Sequence, residues 1–288
     1  MANTVLYNKH DYMVKMRERI AKPTCWKDVL NVKYRDVRTV VGSYMSTEPD
    51  TQTGTRGTAY GYDDFILTAD TLTISTYAVI PMFVDEADRS QQSYVSKMEI
   101  ADYQGKKISE KIESLMLAQH ASWTDFGLTD LSNTGDDDTS AITVSAANID
   151  DIIRAIKRKI YANNGVDFAV EKGIQIVWRA QDFEVLEAFA QANGYLIADN
   201  ALKSGIAVPK GFHYMGVDHY LSTQHTANHV FAGIKGMAEL GILRGTFGKV
   251  KFLEDPGQLS GLGVVSRLDY GFNHPAQLAE FFMDINVA

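Results

Sequence analysis

The stretch "TLTISTYAVIPMFVDEADRS" (residues 71–90) changes character in its middle. From Thr71 to Ser75 polar and apolar residues alternate, the period of a strand with one wet face. From Tyr77 to Val84 both faces turn apolar, the pattern of a strand covered on both sides. Pro81 stands inside that second half and has no N–H for a ladder hydrogen bond, so it belongs at a sheet edge. The stretch reads as a strand that is wet at its start and buried at its end, with a boundary near Tyr77.

C-terminal to it, residues 93–120 form one long helix. Tyr94, Met98, Ala101, Gly105, Ile108, Ile112 and Leu115 recur at steps of four and three, which places them on one face. Asp102 and Lys106 stand at i, i+4 on the charged side in the favourable acid-first order. At ~1.5 Å per residue such a helix is about 42 Å long and acts as a strut. Gly105 lowers helix stability, and on the buried stripe it implies close approach of another backbone.

N-terminal to the strand, "STEPDTQTGTRGTAYGYDD" (residues 46–64) is rich in Gly, Thr and Asp and reads as the tip of a long hairpin loop. Ahead of it, residues 9–38 carry nine Lys and Arg against four acids. They read as a solvated amphipathic segment or as a basic arm over acidic neighbours.

Past the helix, "GLTDLSNTGDDDTSA" is a polar loop, followed by a short strand at Ile142–Val144. Asn148 then caps a helix whose buried side is Ile149, Ile152, Ile153, Ile156 and Ile160, with acids in its first turn and Arg154, Lys157, Arg158 and Lys159 toward its end. "IQIVW" (residues 174–178) is a buried strand, and a helix from Asp182 to Ala192 closes at Gly194. Glycine-punctuated strands follow from Tyr195 to Leu221 and from Val230 onward. No internal repeat is present.

The chain has 288 residues, 45% of them hydrophobic, enough for one large or two interleaved domains. Its single cysteine, Cys25, excludes an intrachain disulfide and any CxxC motif, which fits a reducing compartment. No apolar run approaches the roughly 20 residues that span a bilayer. "MANTVLYNKHDYMVKM" lacks the apolar core of a signal peptide, so a soluble cytoplasmic product is expected. A net charge of −8 argues against wrapping nucleic acid by charge alone.

Catalytic signatures fail one by one. "GQLSGLG" around Ser260 lacks nucleophile-elbow spacing. In "GILRGTFGKV", Lys249 is followed by Val250, and Leu243 stands where a phosphate loop needs its first glycine. The remaining candidate is a cluster of His213, His219, His225 and His229 beside Asp218. Only His225 and His229 have the i, i+4 spacing of a helical metal pair, and "STQHTANH" reads as a turn. The expectation is therefore no catalytic residue, no bound cofactor and no metal. The acidic runs Asp63–Asp64 and Asp136–Asp138 read as solvated loop charge.

The order of these elements resembles the major capsid proteins of tailed double-stranded DNA phages, the α+β shell fold named after phage Hong Kong 97. In that family an apolar strand ending in P-x-x-V-D leads into a long spine helix opening E-x-D. Pro81, Val84, Asp85, Glu86 and Asp88 hold those places here. "NIDDIIRAIKRKIYANNGV … IQIVWRAQDFEVLEAF" resembles the opening of the family's axial domain, and "GFHYMGVDHYLST" its glycine-bearing strand pair. "VSRLDYGFNHPAQLAEFF" is similar to its returning strand, with Tyr270, Gly271 and Pro275 at the recurring places.

The resemblance covers essentially the whole chain. It implies an N-terminal arm at 1–45, an extended β-hairpin loop at 46–76 and a peripheral domain at 77–144 with spine helix 93–120. An axial domain at 145–235 and a return to the peripheral domain at 236–288 complete it. It implies a structural protein, not an enzyme, that assembles with itself into hexamers and pentamers of an icosahedral head around DNA. Its implied partners are a portal protein, a separate scaffolding protein and, in some relatives, a decoration protein, with non-specific proximity to packaged DNA and no membrane. The implied location is the virion capsid, assembled in the host cytoplasm.

Two features depart from parts of the family. No lysine lies between Lys33 and Lys97, so the loop cannot supply the Lys–Asn cross-link of the name-giving phage. The segment ahead of the loop is too short for a fused scaffold, hence the separate one expected. An encapsulin-type compartment shell and, from another class, a metal-dependent hydrolase built on the histidines are the alternatives.

Overall fold

The computed structural model describes residues 2–21, 25–47, 56, 66–85, 94–132, 138–194, 211–254 and 261–288. The decisive stretch is two strands. Strand β3 (Ile66–Thr73) ends where the chain breaks at Ile74 and Ser75, and β4 (Thr76–Asp85) follows. Leu72 and Ile74 are buried while Thr71, Thr73 and Ser75 are exposed, which is the alternation expected. The break falls just ahead of the expected boundary.

Among the described residues β4 pairs only with β12 (Gly261–Asn273), antiparallel, with Pro81 opposite Val265. It is therefore an edge strand, and the missing N–H of Pro81 costs no interior ladder bond. The expected burial on both sides is not found among the described residues. Ala78 is buried and Ile80, Met82 and Val84 are half-buried, whereas Tyr77, Val79 and Phe83 remain 56%, 43% and 41% exposed. The long helix covers one face of the edge strand, and no described element covers the other.

On the far side of β12 lie β10 (Glu239–Leu243) and β11 (Lys249–Glu254), and β1 (Asn31–Arg35) pairs parallel with β10. Part of the stretch expected as an arm is thus folded into this five-stranded sheet. Residues ahead of β1 form helix α1 (Ala2–Ala21) and a single turn α2 (Trp26–Val29). The spine, α3 (Tyr94–Leu117), continues into a 3-10 turn at Ala118–Ser122.

Gly105 explains how α1 and α3 pack. A Cβ there would come within 2.9 Å of the Met16 carbonyl oxygen and 2.8 Å of Arg19 Cβ. The close approach expected from the sequence is made by the backbone of α1. Asp102 pairs with Arg19 (3.5 Å) and Lys106 with Glu110 (3.6 Å), in place of the expected Asp102–Lys106 pair.

The spine also buries Gln104, Ser109 and Glu113, positions that an apolar pattern cannot show. Each has a partner, as burial demands. Tyr12 donates to Gln104 (2.8 Å), Trp26 Nε1 donates to Ser109 (2.9 Å), and Ser222 donates to Glu113. Burial raises the Tyr12 hydroxyl pKa, and burial beside Glu113 raises that of the Cys25 thiol.

The second sheet has six strands in the order β5-β13-β9-β6-β8-β7. Its centre is β6 (Ile174–Trp178), buried at every position, between β8 (Val217–Leu221) and β9 (His229–Ile234). β7 (Gly211–Tyr214) closes one edge through a tight turn at Met215 and Gly216, both at positive φ. The other edge is β13 (Phe282–Asn286) and β5 (Thr124–Phe126). Both had been expected with the peripheral residues and pair here into the second sheet instead. Ile142 makes a single bridge to Val287 rather than a strand.

Helix α4 (Ile149–Ala162) buries Ile149, Ile152, Ile153, Ile156 and Ile160 as expected. Asn148 makes no side-chain cap; its Oδ1 accepts from the Ser145 N–H (2.9 Å) and its Nδ2 donates to Thr143 O (2.9 Å). A short α5 (Val166–Lys172) and α6 (Ala180–Ala192) complete this half. No helix among the described residues is long and apolar enough to cross a membrane.

Candidate assembly hairpin and the histidine residues

Thr39–Thr47 and Ile66–Thr73 form a two-stranded ladder that, among the described residues, joins neither large sheet. β2 (Thr39–Thr47) runs antiparallel to β3, from Thr39 opposite Thr73 to Met45 opposite Leu67, with a bulge before Thr47. Val41, Ile66 and Leu67 are 66%, 56% and 58% exposed. An isolated two-stranded ribbon with apolar residues in water is marginal by itself. The expected loop tip at 48–55 and 57–65, with Asp63 and Asp64, lies outside the described residues.

The root of this hairpin is fixed to the body at both ends. Ile74 N–H donates to Arg38 O (2.6 Å), joining the two chain ends of the ladder. Arg38 also reaches Asp269 (3.2 Å), and the Asn273 amide donates to both oxygens of Asp70 (2.9 Å each). Gly241 and Gly271 are cross-strand partners on β10 and β12. A Cβ on Gly241 would meet Leu72 Cδ2 at 2.9 Å and Ile74 Cγ1 at 3.2 Å, and one on Gly271 would overlap the Thr73 carbonyl. The glycine pair is a notch in the sheet that receives residues 72–74.

The histidines expected as a cluster have separate partners. His213 bonds Asp218 (2.8 Å) at the surface. His219 is buried, accepts from Trp178 Nε1 (2.9 Å) and pairs with Tyr214 O (3.1 Å), which fixes the neutral Nε2–H form. Burial lowers its pKa to about 4, and that of His225 likewise to about 4. His229 contacts Asp284, which also receives His120. Of the residues expected together, His213 meets Asp218, and the His225 ring bonds the backbone of His229 and of Trp178. His120 and Asp284 gave no sequence signal, because they lie 109 and 55 positions from His229; Asp284 meets it through the β9–β13 pairing and His120 from the 3-10 turn after the spine.

The phosphate-loop look-alike at 241–250 is the turn from β10 into β11; Gly248 has φ +66° there, and Arg17 of α1 donates to Phe247 O (3.0 Å). Asp138 accepts from Ser140 and from Thr129 N–H (2.7 Å), and these bonds lower its pKa. Asp136, Asp137 and Ser260 lie outside the described residues.

A two-stranded ribbon, a strut helix and two sheets make up an α+β fold that solved phage capsids share. Solved structures share that fold along nearly the whole chain. The "capsid of empty GTA particle" aligns at TM-score 0.63 and 11% identity, over 91% of this chain and 89% of that one. The virus-like particle from Pyrococcus furiosus aligns at TM-score 0.62 and 9% identity, over 96% and 98%. The capsid of the cyanophage P-SCSP1u aligns at TM-score 0.57 and 12% identity, over 93% and 89%. No family model and no curated protein matches the sequence.

Proposed function

We propose that this chain is a major capsid protein, many copies of which close as hexamers and pentamers into an icosahedral head around double-stranded DNA. The observation that carries the reading is the hairpin. Among the described residues it is anchored at its root, pairs into neither large sheet and exposes Val41, Ile66 and Leu67, which another copy would cover. The exposed face of β4, with Tyr77, Val79 and Phe83, supports the same reading, because its sequence is that of a strand covered on both sides. Solved phage capsids with this fold support it further. On this reading the ribbon of β2 and β3 reaches neighbours, while α1 and β1 stay on their own subunit, and the two sheets are the peripheral and axial parts. Its partners on this reading are a portal protein and, during assembly, a separate scaffolding protein, with a decoration protein in some relatives.

A compartment shell is the second reading, supported by the likeness to the virus-like particle. Fold alone does not separate the two. Recruitment of a cargo peptide into the particles favours the compartment.

The test is expression of the full chain, wild type and Val41→Asp/Leu67→Asp, with negative-stain microscopy and circular dichroism. Wild type should give closed particles of uniform diameter. The variant should give a folded, soluble subunit without them. Particles from the variant indistinguishable from wild type would overturn the reading.

A further inference from the structure

The Asp284 side chain is only 3% exposed, yet among the described residues its ion pairs are with histidine alone. His229 Nδ1 lies 3.0 and 2.8 Å from its two oxygens, and His120 Nδ1 lies 3.1 Å from Oδ2. The two rings stack with centroids 3.7 Å apart and 22° between planes. Two imidazole nitrogens and a carboxylate oxygen thus converge, every donor within 4.8 Å of the others.

We propose that His120, His229 and Asp284 bind a divalent cation of borderline softness, Zn²⁺ foremost, as a structural staple. A buried carboxylate needs a compensating positive charge, and among the described residues no lysine or arginine supplies it. Zinc holds imidazole nitrogen at about 2.0–2.1 Å and carboxylate oxygen at about 2.0–2.2 Å, so tetrahedral ligands stand about 3.3 Å apart. The observed hydrogen-bond separations therefore need only a few tenths of an ångström of spreading. Without the ion each Nδ1–H donates to Asp284; with it the ring proton resides on Nε2, a tautomer change that the free imidazole allows. His120 and His229 are 20% and 27% exposed, which gives the ion an entry path. Nitrogen donors select Zn²⁺, Co²⁺ or Ni²⁺ over Mg²⁺ and Ca²⁺, which prefer oxygen.

Asn286 stands opposite His229 in the β9–β13 ladder and on the same face of β13 as Asp284. Its amide nitrogen is buried without a partner. Rotation of that amide turns an oxygen to the same place, a candidate fourth donor. The staple would join the end of the spine, β9 and β13, three segments remote in sequence. The site does not depend on the shell reading.

The test uses the full chain stripped with EDTA and dialysed, then titrated with ZnCl₂ by calorimetry and with CoCl₂ by visible absorption. One equivalent should bind per chain, with ligand-field bands for Co²⁺ and a rise in the unfolding midpoint that Mg²⁺ does not reproduce. His120→Ala and His229→Ala should abolish the bands while His213→Ala leaves them intact. Should Asp284→Asn fail to fold, the half-exposed histidine variants still carry the test, with circular dichroism reporting their fold. No binding to wild type, or an unchanged Co²⁺ spectrum in both histidine variants, would overturn the site.

Discussion

The carbonyl oxygen of Thr73 occupies the place where Gly271 would carry a Cβ. Gly271 on β12 and its partner Gly241 on β10 leave the space into which the hairpin root is set. Gly271→Ala should push the root off the sheet and destabilise the subunit by about 1–3 kcal/mol, the range for forced overpacking. Gly241→Ala meets side-chain ends of Leu72 and Ile74, which can yield, so its effect should be smaller. Denaturant midpoints of the two variants give the comparison, and equal losses would contradict the notch.

Gly105→Ala sets two effects against each other. Alanine is favoured over glycine inside a helix by about 1 kcal/mol. Its methyl would press on the Met16 carbonyl and Arg19 Cβ, both below 3.0 Å. Backbone cannot move aside cheaply, so packing should win. The variant should unfold at lower urea than wild type; a gain in stability would mean that α1 does not lie against the spine as described.

Lys159 and Asp130 form an ion pair at 3.0 Å with side chains 5% and 0% exposed. Asp130→Asn leaves a buried ammonium without its carboxylate. Removing one member of a buried pair costs about 3–5 kcal/mol. Lys159→Met added to it should recover part of that loss, and a double-mutant cycle on unfolding free energy measures how much. Additive losses would show that the pair is not coupled.

His219 should make the subunit acid-sensitive. Its folded pKa, about 4, lies below the ordinary 6.5 because the ring is buried. Between those values the unfolded chain binds a proton that the folded chain does not, so stability falls as pH drops from 6.5 toward 4. The single-site effect is roughly 3 kcal/mol at most. His219→Asn keeps an acceptor near Trp178 and removes the titration, so its stability should depend less on pH across that window. His225, shifted the same way by burial, contributes to the slope left over. An unchanged slope would place the ring in water.

The change near Tyr77 and the spine helix are legible in the residues themselves, because alternation, then an apolar run, then a period of 3.6 require no knowledge of distant partners. So is Gly105, since a glycine on a buried helical stripe serves chiefly to admit another backbone. The isoleucine face of α4 follows from spacing alone. What stays hidden depends on pairing between remote segments. β13 joins β9, and only then do Asp284 and His229 meet. Glu113 and Lys159 look like surface charge because a helical period records polarity, not the presence of Ser222 or Asp130. The exposed side of β4 misleads in the opposite sense, since its apolar residues have no cover among the described residues.

The anchored root gives the hairpin mechanical leverage. β3 has eight residues, and at ~3.3 Å each they reach about 26 Å from the notch. A tilt of about 10° at the Gly241–Gly271 seat would carry the far end of that strand through about 4–5 Å, roughly the spacing between neighbouring strands. Small repacking of Leu72 and Ile74 against two glycines would thus be read out as a full strand's width at a distant contact.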